Sequence, residues 1–326
     1  MKLNLIIKNI DTVVESLEDF IIDQIQNNFN RKGVVIGISG GIDSAVAAAF
    51  CVKALGSDKV LGLIMPEKDS NPQSRLLAEL FCNKFNIKTE TIDLTPIIEK
   101  YDIYNIRDNI VRKNFPNFNL FSKYRFVIPN NLENEGISLP FLQVLDKENN
   151  ILDIKLGLND YLNLTTATSI KLRSRMIMSY YHAEKNHYAV IGATNKTELV
   201  QGYFVKYGDD GVDIEPIANL YKTQVYQLGK YLGIPDEIIQ RKASPDTWSF
   251  EVSDQEFFFG LPYDAIDMIL HAQENKIPLN TISESLNLSN RQLEKISSIQ
   301  KRKWSSSKHM RESPPIWDAK IISLAD

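Results

Sequence analysis

Val34-Val35-Ile36-Gly37-Ile38-Ser39-Gly40-Gly41-Ile42-Asp43-Ser44 is the stretch on which the reading of this chain turns. Its first five residues form a short continuous apolar run, the mark of a strand covered on both faces. Ser39-Gly40-Gly41 breaks the run, and an alanine-rich helix follows from Ala45 to Leu55, ending near Gly56. A strand-to-helix junction of this kind offers unpaired N–H groups and a partial positive charge, and its glycines let backbone approach an anion closely. Ser39 and Ser44 add hydroxyls, so Gly37 to Ser44 reads as a cradle for phosphate. The Gly-Lys-Ser/Thr of a Walker A loop is missing, and with it the lysine that would balance the phosphate charge. Asp43 suits an anion cradle only if a cation such as Mg²⁺ bridges it to phosphate. A turn whose glycines serve close packing alone is the plainer alternative, and the full string in its context outweighs it.

Working outward, residues 9–30 carry Ile10, Val13, Val14, Leu17, Phe20, Ile21 and Ile25 at helical spacing. Lys59–Met65 reads as a second buried strand, Ser70 to about Phe85 as a helix with Pro72 in its first turn, and Lys88–Asp93 as a third strand. Short links between these elements imply right-handed crossovers and a parallel sheet. Residues 100–165 break the rhythm. Asn105–Asn119 reads as loop or weak helix, and Ile137–Leu145 and Ile151–Leu156 as a hairpin around Asp146–Asn150. The α/β pattern resumes with a helix over Thr168–Glu184 and a strand over Tyr188–Gly192. Helices are expected at Lys222–Leu232, Asp236–Gln240, Tyr263–Ala272 and Arg291–Trp304. The expectation is one α/β domain over 1–326, with an insertion at about 100–165 and a helical part from about 222.

Composition narrows the function classes. The 326 residues are 43% hydrophobic and 24% charged, as in ordinary globular chains, and the net charge of −4 argues against broad nucleic-acid binding. Cys51 and Cys82 are too few for a disulfide scaffold or a zinc module. His182, His187, His271 and His309 leave little for a histidine metal cluster, and His182 reads as packing a helix face. No uncharged apolar stretch approaches the ~20 residues of a membrane span. Met1–Lys8 is too short for a signal peptide, so no membrane role and a cytoplasmic location are expected. Phe257-Phe258-Phe259 reads as core or dimer surface, and Lys301-Arg302-Lys303 as a solvated helix end.

The Gly37–Ser44 string resembles the PP-loop of ATP-dependent adenylating enzymes. Gly192–Glu198, Gly202–Asp209, Asp213, Pro216 and Leu220–Gln224 resemble the ammonia-dependent NAD synthetases, a likeness covering about 1–95 and 165–270 and, more weakly, 300–317. The resemblance implies a Rossmann-like adenine nucleotide alpha-hydrolase fold, a central parallel sheet flanked by helices, and a homodimer. It also implies ATP, Mg²⁺, ammonia and deamido-NAD as ligands. By the same resemblance Gly37, Ile38, Ser39, Gly40, Gly41, Ile42, Asp43 and Ser44 hold ATP phosphates, Asp43 and Glu198 ligate Mg²⁺, and Lys222 contacts ATP, supplying the charge the loop lacks. Thr194 and Ser244 stand near ATP, and Arg173, Lys206, Asp213 and His309 fall on deamido-NAD positions. Without the resemblance, Glu198, Lys206 and Lys222 read as solvated surface charges, and Asp213 as turn chemistry.

Four departures stand out. Ala193 occupies the place of an ATP-contacting threonine, with Thr194 one position late; Ser169 replaces an asparagine; Met310 replaces a substrate-side lysine; and 100–165 is longer than that segment of a typical member. The implied chemistry is activation of a carboxylate as an acyl-adenylate, followed by attack of ammonia, with Asp43 and Lys222 as the catalytic pair. No Ser/His/Asp or Cys/His nucleophile set is needed, and the length leaves no room for a glutaminase module. Two alternatives stay open: an amidoligase of this type acting on another carboxylate, and a nucleotide-binding homologue without catalysis.

Overall fold

The computed structural model describes residues 5–116, 123–128, 140–146, 148 and 150–317. Among these are seven strands: β1 (Val34–Gly37), β2 (Val60–Ile64), β3 (Lys88–Thr91), β4 (Lys123–Val127), β5 (Phe141–Leu145), β6 (Ile151–Lys155) and β7 (Ala189–Ile191). The first eight α-helices are α1 (Ile10–Ile22), α2 (Ile42–Leu55), α3 (Pro72–Lys84), α4 (Thr95–Lys100), α5 (Ile103–Asn114), α6 (Leu158–Asn186), α7 (Lys196–Gln201) and α8 (Lys222–Tyr231). Beyond them come α9 (Asp236–Ile239), α10 (Tyr263–Glu274), α11 (Ser283–Leu286), α12 (Asn290–Ser306) and α13 (Lys308–Arg311). None of the described helices is long and apolar enough to cross a membrane.

The central sheet is parallel throughout, in the order β3-β2-β1-β7. Val34 pairs with Val60 on one side and with Ala189 on the other. Strand order therefore reverses at β1, and a crevice opens beyond the carboxyl ends of β1 and β7, where doubly wound sheets bind their ligands. Helix α2 lies against the sheet with α1 and α8 behind it. Its run Ala45 to Cys51 is buried on every side, which explains the alanines: small side chains let a helix enclosed by neighbours pack without voids. Val35, Leu63 and Val190 cover the opposite face together with α4, α5 and α6.

Three elements depart from the sequence expectation. Helix α5 is regular where a loop or weak helix was expected, because Ile103, Tyr104, Arg107 and Val111 form one buried stripe while Asn105 and Asn109 face solvent. Burial of the stripe overrides the low propensity of asparagine. The expected hairpin is present, Leu145 pairing with Ile151 and the Asp146 carboxylate accepting from the Glu148 and Asn150 amides, and β4 adds a third antiparallel strand. Of the expected hairpin, 137–139, Lys147 and Asn149 lie outside the described residues. Helix α6 starts at Leu158, ten residues before Thr168. Thr165, Thr166 and Thr168 turn their hydroxyls back onto carbonyls one turn earlier, which satisfies polar groups that otherwise weaken a helix start.

Candidate active site

The loop between β1 and α2 is braced before any ligand arrives. Gly40 sits at φ +76°, and a Cβ there would lie 2.3 Å from the Ser74 carbonyl oxygen, so only glycine fits. The Ser39 and Ser44 hydroxyls are 3.0 Å apart; the Ser39 amide donates to Ser44 Oγ at 3.2 Å and the Gly41 amide to Ser39 Oγ at 3.2 Å. Gly41 caps α2, leaving the amides of Ile42, Asp43 and Ser44 at a helix start with no intrahelical acceptor. They open into a cavity of about 1120 Å³ at the sheet's switch point. Gly37, Ile38, Ser39, Gly41, Ile42, Asp43 and Ser44 all line it; Gly40, whose work is conformational, does not.

Facing the loop is a buried charge cluster. Lys222, at the first position of α8, is 1% exposed and donates to both Asp43 Oδ2 and Glu198 Oε1, the latter at 3.3 Å. Asn195 joins the two loops: its Nδ2 donates to Asp43 Oδ1 at 2.9 Å, while its Oδ1 caps α7 by accepting from the Glu198 amide at 3.1 Å. Behind them Asp254 accepts from the Tyr203 and Tyr263 hydroxyls at 2.9 and 2.8 Å. Burial alone would lower the Lys222 pKa, but Asp43, Glu198 and Asp254 overcome it and hold the ammonium firmly protonated. Burial raises the Glu198 and Asp254 carboxyls, a push that Lys222 opposes and Asp43 reinforces. Three acids surround one ammonium, so the cluster holds more acidic oxygens than Lys222 alone can balance. That imbalance, carried on hard oxygen donors beside a phosphate cradle, fits Mg²⁺, which commonly binds through one or two carboxylates plus substrate phosphates. Among the described residues there is no cluster of three or more His, Cys, Asp or Glu that would cage a metal without phosphate.

The remaining candidates divide. Thr194 lines the cavity, its amide donating to Glu215 Oε2 at 3.1 Å, and Ala193 lies beside it. Ser244 also lines it and accepts from the Asp246 amide at 3.3 Å. Arg173, Lys206 and His309 form a linked rim: Arg173 Nη2 donates to the Lys206 carbonyl at 3.3 Å, and Lys206 Nζ to the His309 carbonyl at 2.5 Å. Asp213 stands apart from the cavity lining. Its carboxylate accepts from the Val190 amide at 2.7 Å and the Tyr180 hydroxyl at 3.1 Å, fastening the edge of β7.

Several lining residues were not marked in the sequence. Phe257 and Phe259 pack against buried clusters, as a core reading expects, while Phe257 and Phe258 also line the cavity, with Tyr203 stacked on Phe258 at 4.6 Å. Lys303, expected on a solvated helix end, is half-buried, donates to the Phe258 carbonyl at 2.8 Å and has its pKa lowered to about 8 by burial. The insertion contributes Phe126, Ile128, Pro140 and Tyr161. A sealed ion network anchors it: Lys171 Nζ meets Glu67 at 2.8 Å and Asp69 at 2.6 Å, and Arg107 Nη1 meets Asp69 at 2.8 Å while its guanidinium lies 4.5 Å from the Trp248 ring centre. The inward alternation of Tyr124 and Phe126 along β4 is a period-two signal that sequence reading could have caught.

Comparison with known proteins agrees with this geometry. The NAD synthase family model matches residues 13–139 and 141–314. An NH₃-dependent NAD⁺ synthetase of Rhizobium rhizogenes is 36% identical over 283 residues, covering 87% of this chain and 85% of its own. One from Thermotoga neapolitana is 35% identical over 312 residues, covering 95% and 98%. Among solved structures, an NMN synthetase from Francisella tularensis superposes with a TM-score of 0.64 at 25% identity, covering 95% of this chain and 99% of that one. An NH₃-dependent NAD synthetase from Campylobacter jejuni superposes with a TM-score of 0.63 at 23% identity, covering 96% and 100%, a likeness of fold. The central parallel sheet with its flanking helices is thus the PP-loop form of the Rossmann-like architecture, and by the family model and these relatives the chain belongs to the NAD synthase family.

Proposed function

We propose that this chain is a carbon–nitrogen ligase that converts deamido-NAD, ATP and ammonia to NAD, AMP and pyrophosphate. The observation that carries the proposal is the Lys222 ammonium held between Asp43 and Glu198 directly across from the braced phosphate loop. The substrate carboxylate attacks the α-phosphorus, the bond to the β-phosphate oxygen breaks, and pyrophosphate leaves. Ammonia then attacks the acyl carbon of the adenylate, loses a proton, and displaces AMP. The amides of Ile42, Asp43 and Ser44 bind the polyphosphate, and Lys222, fixed by its carboxylates, orients toward the phosphate where charge accumulates. Asp43 and Glu198 are the residues that would hold Mg²⁺, whose contribution when bound is to offset charge on the phosphates. Thr194 and Ser244 border the nucleotide, and Arg173, Lys206 and His309 the acid substrate. Asp213 acts in this scheme through the sheet edge it secures.

Leu158, Leu162, Ile177 and Tyr181, all exposed along α6, support a homodimer built on that helix. ATP as substrate and two free thiols, Cys51 and Cys82, support a cytoplasmic setting. We read 1–326 as one domain, since the insertion shares packing around Trp248 with the rest of the chain. The test is release of AMP and pyrophosphate from ATP with ammonium and, in separate reactions, deamido-NAD and nicotinate mononucleotide. Release with deamido-NAD and with free ammonium is the expected outcome. Release only with the mononucleotide, or with some other acid, would replace the substrate, and nucleotide binding without turnover on any acid would refute catalysis.

A further inference from the structure

The charge inventory of the cavity leaves the phosphate loop short of a cation. Lys222 is already balanced by Asp43 and Glu198. Among the other arginines and lysines lining the cavity, Arg75 is paired with Glu79 at 2.7 Å, Arg175 reaches the Met65 carbonyl, Arg173 and Lys206 reach carbonyls of the rim, Lys303 rests on Phe258, and Lys242 is exposed and couples to Glu256. Whereas Lys222 touches the loop through the Asp43 carboxylate, Arg241, in the segment after α9, touches it through a backbone carbonyl. Its Nη2 donates to Ser74 Oγ at 2.8 Å, and its Nη1 reaches the Gly40 carbonyl at 3.5 Å. Both partners are neutral oxygens, and no carboxylate lies within 4.0 Å of it among the described residues. Asp246, an acid to which it couples, is engaged with the Asn71 amide at 2.8 Å and with the Ser74 hydroxyl.

We propose that Arg241 grips the terminal phosphates of the bound nucleotide and then the departing pyrophosphate. This assignment rests on the amidation reading above. A guanidinium presents paired donors that match phosphate oxygens bidentately, and an anionic acceptor adds a Coulomb attraction that its present neutral acceptors lack. Exchanging a carbonyl and a hydroxyl for phosphate oxygens is therefore favourable without large movement of the loop.

Titration calorimetry of the full chain with magnesium pyrophosphate and, separately, with AMP tests the assignment. Arg241→Met should weaken pyrophosphate about ten- to a hundredfold while leaving AMP within about twofold, and Arg241→Lys should fall between. Ser74→Ala removes a present partner of Arg241 and keeps the charge, so it should leave pyrophosphate binding within about threefold. If Ser74→Ala reproduces Arg241→Met, or if AMP and pyrophosphate weaken together, Arg241 is merely a tie holding the loop and the proposal is overturned. If the wild-type chain turns over and binds both ligands while Arg241→Met binds pyrophosphate as tightly, only the assignment of Arg241 fails. If the wild-type chain binds neither, the amidation reading fails first and carries Arg241 with it.

Discussion

Asp43→Asn separates catalysis from folding more cleanly than any other change at this site. Asparagine has the same shape, and its amide oxygen can keep accepting from Asn195 Nδ2, a bond of 2.9 Å in the wild type. What disappears is one full charge. Lys222, only 1% exposed, keeps Glu198 and Asp254 as counter-charges, so no buried ammonium is stranded. Asp43 itself retains 19% side-chain exposure. Losing a charge-assisted bond costs ~1–2 kcal/mol, and relief of repulsion among three carboxylates offsets part of it. The net stability change should stay near ~1 kcal/mol, or about 2 °C in melting temperature for a chain of this length. On the proposed function turnover responds differently, because Asp43 would be one of the two residues that hold Mg²⁺ beside the phosphates. Electrostatic contacts of that kind are worth ~3–4 kcal/mol in the transition state, a loss of about a hundred- to a thousandfold. Continuous measurement of pyrophosphate release with deamido-NAD and ammonium, beside a melting curve, reads both numbers. An Asp43→Asn enzyme with more than about a tenth of wild-type kcat would remove Asp43 from the metal-holding pair, and a fall of 10 °C or more would make its role structural.

Gly40→Ala forces a Cβ to within 2.3 Å of the Ser74 carbonyl at a φ of +76°. The left-handed backbone alone costs ~1–2 kcal/mol, so calorimetry should find ATP affinity weakened by about tenfold or more along with a lower melting temperature. Arg107→Met leaves Asp69 to Lys171 alone in a sealed network; breaking such a pair costs ~3–5 kcal/mol, so melting should fall by about 4–7 °C and trypsin should cut sooner between residues 103 and 155. Burial pushes the Cys51 thiol up to about 12, and burial with help from Glu79 does the same for Cys82. A raised thiol pKa means less thiolate, so at pH 8 both should react with maleimide about a thousandfold slower than a free thiol, becoming fast only in denaturant.

The parallel sheet was legible because its inner strands advertise themselves: Val34–Ile38 and Val60–Met65 are unbroken apolar runs, and nothing but double-sided burial makes such runs useful. The strand-to-helix loop Gly37–Ser44 was legible because its bracing is local, contained in eight consecutive residues. Glu198 and Lys222 were not legible from their own neighbourhoods, since a buried ion pair and two solvated charges look alike in one dimension. They lie far apart in the chain, and only the reversal of strand order at β1 brings the end of β7, with α7, to the same crevice as the loop. Arg107 misled for a related reason. A helix whose inner stripe includes an arginine reads as weakly amphipathic, and the acid paired with it, Asp69, comes from the segment after β2.

Asp213 and Phe258 show how little residue type says about placement. Asp213 carries the residue type of a ligand-binding group and lies outside the cavity lining, exposed at the sheet edge, where it accepts from the Val190 amide and the Tyr180 hydroxyl. Phe258 carries the residue type of a core, yet it forms a wall of the cavity with Tyr203 stacked on it. Residue type reports which surroundings a side chain tolerates, and tolerance does not say which of several permitted surroundings the fold provides. That choice is made by the elements arriving from elsewhere. The π-turn over Gln255–Phe259 sets Phe257 and Phe258 toward the cavity, and the Ile191–Ile214 bridge draws Asp213 alongside β7.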